Sequence, residues 1–199
     1  MANSDAPSGL KPVRHRDGTP YAGQTNLYYI PAADATAVWI GDAVSHGGSA
    51  GAAGAQVNGV DIEGMPAVKQ TVAGDSSIVG VVVGFYPRPT ALETNHRPAS
   101  TEMIVMVADD PNLVYEIQED SVGGNVAAAS VGTNFDLIVA AGDSTSGQSA
   151  MELDSSTTVT TTANLRLERL VKRPGNIVGT WAKWEVVILE HFLRTPTGV

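Results

Sequence analysis

The chain has no cysteine. Disulfides and thiolate metal sites are therefore excluded, and the composition fits a protein made in a reducing cytosol. Charge is also sparse: Asp, Glu, Lys and Arg make up 17% of the 199 residues, against about 25% in an ordinary globular domain. No apolar run approaches the roughly 18 residues that a membrane-spanning helix needs. Met1 to Leu10 lack a cationic head followed by an apolar core, so no signal peptide is expected. The chain is expected to avoid membranes and to stay in the compartment where it is made. Bases are scarcer than acids, 12 against 21, for a formal net charge of −9. A nucleic-acid binder needs surplus bases to neutralise phosphates, so direct nucleic-acid binding is not expected.

Small and turn-forming residues fill the space. There are 21 Gly and 11 Pro, with tracts of Ala, Ser and Thr. Such a chain turns often and has few long helices. The charge is unevenly spread. Residues 26–163 carry a net −13, residues 164–199 a net +3 and residues 1–25 a net +1. A basic end and an acidic middle of this kind can meet between neighbouring copies.

Residues 1–25 hold Pro7, Pro12, Pro20, Gly9, Gly18 and Gly23 without helical or strand periodicity. They are read as an extended N-terminal arm. Its Leu10, Lys11, Val13, Arg14, Arg16 and Tyr21 are the residues expected to dock on a partner. Residues 26–199 are read as one β-rich domain. Asn26–Ile30, Ala37–Val44, Met65–Thr71 and Ser77–Tyr86 are β-prone, the last almost wholly apolar and β-branched. Residues 46–59 are Gly- and Ala-rich and read as an exposed flexible loop. Thr101–Ala108 and Leu113–Glu119 flank Asp109-Asp110-Pro111-Asn112, which predicts a hairpin. Asn125–Val131, stopped by Gly132, predicts one short helix. Further strands are expected at 135–141, 149–153 and 165–171. Residues 181–193 close the chain as a central strand buried on both faces, or alternatively as a terminal helix. The expected fold class is all-β, a barrel or sandwich.

The residues that could carry chemistry do not assemble into a motif. The serine elbow G-x-S-x-G fails at Gly142–Ser146, where the fifth residue is Ser. No Gly-Lys-Ser/Thr follows the glycines at 48, 51 and 54, so they form no phosphate loop. His15, His46, His96 and His191 stand too far apart for a helical zinc motif. No catalytic, cofactor-binding or metal-binding residue is assigned, and no enzyme activity is expected. Aromatic residues at strand spacing, Tyr28, Tyr29, Trp39 and Trp181, together with Arg173, are read as self-association anchors. A carbohydrate platform is the alternative use of the aromatics.

Two long segments resemble small structural proteins of tailed-bacteriophage heads. The opening matches a pattern "G-x-R/K-P-V", then "Y-x-I/V-P", then "I-G-D-x-V", through Gly9, Lys11, Pro12, Val13, Tyr29, Pro31, Ile40, Gly41, Asp42 and Val44. The closing part resembles the same group through a Ser-rich turn "ELDSS" at 152–156 and "LRLERLVKRPGNIVGTWAK" at 165–183. The family is that of head decoration, or cement, proteins. The resemblance implies a jelly-roll or β-tulip-like module that binds the major capsid protein on the outer capsid surface. It also implies self-association, most often as a homotrimer, and bridging of capsid subunits against internal DNA pressure. The protein would be made in the host cytoplasm and reside in the virion. Another minor capsid or tail component is the alternative within the same class.

Overall fold

The computed structural model describes residues 3–89 and 91–194. Among them the protein is nearly all β. The strands are β1 (Lys11–His15), β2 (Asn26–Ile30), β3 (Ala43–Ala50), β4 (Gln56–Val57), β5 (Val60–Asp61), β6 (Pro66–Gln70) and β7 (Ile78–Phe85). They continue with β8 (Met103–Ala108), β9 (Leu113–Gln118), β10 (Asn134–Phe135), β11 (Leu137–Ile138), β12 (Glu152–Leu153), β13 (Leu165–Leu170) and β14 (Lys183–Ile188). No described helix is long and apolar enough to cross a membrane.

Strands β2, β6, β3, β7 and β8 close into a small barrel in that order. All its neighbours are antiparallel except β2 and β6. Side chains alternate across each strand. Ile30, Val44, Val68, Val82, Val105 and Val107 thus fill the barrel interior. Ala43, Ile78, Val81 and Ala108 face outward. Against this outward flank packs a five-stranded antiparallel sheet of order β1-β9-β14-β13-β10. Its inner face supplies Leu113, Tyr115, Ile117, Leu167, Trp184 and Val186 to the largest core cluster. Burying an apolar side chain contributes about 1.5–3 kcal/mol, so this seam between barrel and sheet is the main source of cohesion.

Four expectations change. Residues 1–25 are not a free arm: Leu10 is 1% exposed inside the main core, and β1 pairs with β9 as the sheet's edge strand. The predicted helix at 125–131 is a single 3-10 turn, Ala128–Ser130; three Ala and no caps give it nothing to bury. The flexible loop at 46–59 is largely structured. Strand β3 runs through to Ala50, and the β4–β5 hairpin lays Val57 and Ile62 over Tyr29, Ala67 and Ile104 on the barrel's other flank. Finally, β8 and β9 do not pair with each other. β8 belongs to the barrel and β9 to the sheet, and Asp109–Asn112 carries the chain from one layer to the next. The turn chemistry was legible, but both strands find better apolar partners elsewhere. The closing segment does form a central strand, with β9 and β13 on either side of β14.

Candidate functional site: the outer sheet face and the terminal hairpin

The N-terminal segment is tied down residue by residue. The Asn3 side chain donates to the Ile177 and Thr180 carbonyls at 2.8 and 2.9 Å and accepts from the Ile177 N–H at 3.0 Å. The Ala6 N–H donates to Gln118 Oε1 at 3.0 Å. Gln118 Nε2 in turn bridges the Asp5 and Glu152 carboxylates, each at 2.9 Å. The Leu10 N–H donates to the Gly41 carbonyl at 2.9 Å. Beyond β1, Tyr21 N–H returns to the Val13 carbonyl, so residues 16–21 cover the sheet edge. A covered edge cannot recruit a foreign strand.

Strand β1 brings its bases to the outer face of the sheet. Arg14 and Arg169 both pair with Glu185, at 2.8 and 2.9 Å. Arg173 pairs with Glu116 at 2.9 Å, and Arg16 with Glu168 at 3.4 Å. Val114 and Val187 lie on this face, yet both are fully buried. Long arginine stems can screen such apolar positions while keeping their heads in water.

The β13–β14 hairpin projects at one end of this face. Asn176 ties its base, donating to the Val171 and Lys183 carbonyls and accepting from the Lys183 N–H at 2.9 Å. Its tip exposes Ile177 and Val178, 55% and 43% accessible. Beside them Trp181 sits at φ +57°, a left-handed conformation that a bulky side chain rarely adopts. It is held there by Ser121, itself at φ +56°, whose hydroxyl accepts the Trp181 N–H at 2.7 Å. Val122, the next residue, is also exposed.

Of the other expected anchors, Tyr28 is half-buried with its hydroxyl donating to Asp109 at 2.8 Å. Burial raises its pKa, reinforced by the Asp109 carboxylate. Tyr29 is packed under the β4–β5 hairpin, and Trp39 is buried and stacked on His96 at 5.7 Å between ring centres. Neither ring is on the surface, so neither can serve as an anchor or as a sugar platform. Arg173 and Trp181 remain accessible at the terminal hairpin.

Several buried polar groups had no motif to announce them. Arg97 is fully buried and donates to four backbone carbonyls, those of Pro31, Asp34, Thr36 and Thr101. It joins the loop after β2 to the one before β8. Asp42 accepts from the Trp39 N–H and from Gln70, and burial pushes its carboxyl up to about 6. Glu119 accepts from the Val126 N–H and the Trp184 indole, and burial raises it as well. Asp109 and Asp110 turn to different partners, Asn26 with Tyr28 and His15 respectively. Among the described residues no group of three or more His, Asp or Glu is placed to hold a metal.

No family model, curated protein or solved structure matches the chain.

Proposed function

We propose that the protein is a capsid decoration protein: it binds the major capsid protein on the outside of a tailed-phage head, associates with its own copies, and reinforces the shell without turnover chemistry. The observation that carries this reading is where the motif residues of the resemblance fall. Gly9 and Gly41 meet in one crossing, and Asn176 and Lys183 close the hairpin whose tip Asn3 grips. The N-terminal segment thus ties the two motif-bearing ends of the chain into one prefolded unit, with Gly9, Gly41 and Asp42 buried and the hairpin tip at the surface. In this reading the barrel with its packed sheet is a jelly-roll or β-tulip-like module. Capsid contact falls to the apolar tip at Ile177 and Val178 and to the exposed Arg16, since Leu10 is committed to the protein's own core. A rigid, prefolded surface loses little entropy on docking, which suits a protein that must hold under load.

The test is made on heads. Expanded capsids lacking this protein should rupture at lower temperature than complete ones, and adding the purified chain back should restore them. Heads equally robust with and without it would overturn the proposal.

A further inference from the structure

The outer face of the five-stranded sheet gathers cations from both ends of the chain. Two rows run across four strands in register: Lys11–Glu116–Glu185–Arg169 and Arg14–Val114–Val187–Arg166. Residues opposed across strands point to the same side. Glu116, Glu168 and Glu185 are already engaged by Arg173, Arg16 and the Arg14–Arg169 pair, and at one end Asp5 and Glu152 are held by Gln118, while Lys11, Arg166 and Lys183 add further positive charge. The face therefore carries a cationic surplus in a chain whose net charge is −9.

The other flank of the barrel has the opposite character. There the hairpin spanning residues 46–65 covers β2 and β6. It contains Asp61 and Glu63, both exposed, and no Lys or Arg. The sheet packs on the β3–β7 flank of the barrel and the hairpin on the β2–β6 flank. The protein thus presents a basic face and an acidic flap on two different sides.

We infer that the outer sheet face receives the acidic flap of a second copy, head to tail. This rests on the self-association in the reading above and specifies its surfaces and symmetry. A two-fold dimer through the sheet face would oppose like charges, so the contact must be heterologous. Heterologous contacts close into a ring or continue as an open chain, and either passes beyond a dimer. The trimer expected of decoration proteins is one such ring.

Sedimentation velocity on the full chain reads this directly. At about 0.05 M salt the protein should form species larger than a dimer. Raising salt to about 0.5 M, where the screening length falls to roughly 4 Å, should weaken association about tenfold or more. A face variant, Lys11→Glu with Arg166→Glu, and a flap variant, Asp61→Lys with Glu63→Lys, should each be monomeric alone. Mixed together they should assemble again beyond a dimer, because the intact face meets the intact flap and the reversed flap meets the reversed face. Should the reversed face variant fail to fold by circular dichroism, Lys11→Gln with Arg166→Gln replaces it, with the same expected loss. Wild-type protein that stays monomeric at about 100 µM in low salt, or stops at a dimer, overturns the inference; so do variants that assemble like wild type. A chain that reinforces heads yet never self-assembles removes this inference and leaves the decoration reading. A chain that assembles head to tail but does not reinforce heads does the reverse.

Discussion

Gly9 and Gly41 cross backbone to backbone. A Cβ on Gly9 would lie 2.3 Å from the Gly41 carbonyl oxygen, and one on Gly41 would lie 2.4 Å from the Ser8 oxygen. Both residues have positive φ, +64° and +96°. Only glycine meets both demands, steric and conformational. The crossing lets the N-terminal segment lie close enough to β3 for Leu10 to enter the core.

Gly41→Ala should therefore destabilise the protein by about 2 kcal/mol or more, from left-handed strain plus the backbone clash. For a chain of this size that is a fall of roughly 4–8 °C in melting temperature. Differential scanning calorimetry checks it; an unchanged melting temperature would mean that the crossing is dispensable.

Leu10→Ala should cost about 2–4 kcal/mol, as expected for a leucine fully buried in the core. Chemical denaturation separates this from a free arm, for which the same substitution would leave the midpoint where it was.

Arg97→Lys should cost about 3 kcal/mol. A lysine ammonium has three donors on a flexible stem and cannot satisfy four carbonyls arranged around a planar guanidinium. The loss should appear as a lower urea midpoint with an unchanged slope.

Stability should respond to pH through two buried groups of opposite sign. Asp42 has a folded pKa of about 6 against an ordinary 3.8. Between those values the folded protein holds a proton that the unfolded chain has released. The contribution is present below about 3.8 and is lost as pH rises through about 6. The whole change is about 3 kcal/mol. Asp42→Asn should abolish it, so the variant gains on wild type between pH 4 and pH 7.

His191 works the other way. Burial, with Arg194 adding to it and Asp109 and Asp110 opposing, pushes its pKa down from 6.5 to about 4. Its neutral ring favours the folded state above pH 6.5, and that contribution is lost as pH falls through 6.5 toward 4. His191→Gln should remove that loss, so that the variant gains on wild type as pH falls from 6.5 to 4. Thermal melts of both variants across pH 4–7 test the two signs separately; parallel curves for variant and wild type would refute the assignment.

The β-prone runs at 26–30, 65–71, 77–86 and 101–108, and the turn residues between them, made the all-β class readable from sequence alone. The charge asymmetry between the ends of the chain and its middle was readable too, because composition needs no coordinates. Tertiary structure decided what strand propensity cannot encode, namely partners. Leu113–Gln118 left its neighbour β8 for β1 and β14, since its alternating apolar face is better buried against the barrel than beside it. The N-terminal segment read as an extended arm because its prolines and glycines show no periodicity, yet Leu10, the Gly9–Gly41 crossing, the Asn3 and Ala6 hydrogen bonds and the β1–β9 pairing dock it. Arg97 carried no signal in sequence, since the carbonyls that hold it come from backbone at Pro31, Asp34, Thr36 and Thr101. Propensity acts over a few residues, whereas register and burial are settled between segments more than a hundred positions apart, and only the folded chain brings those together.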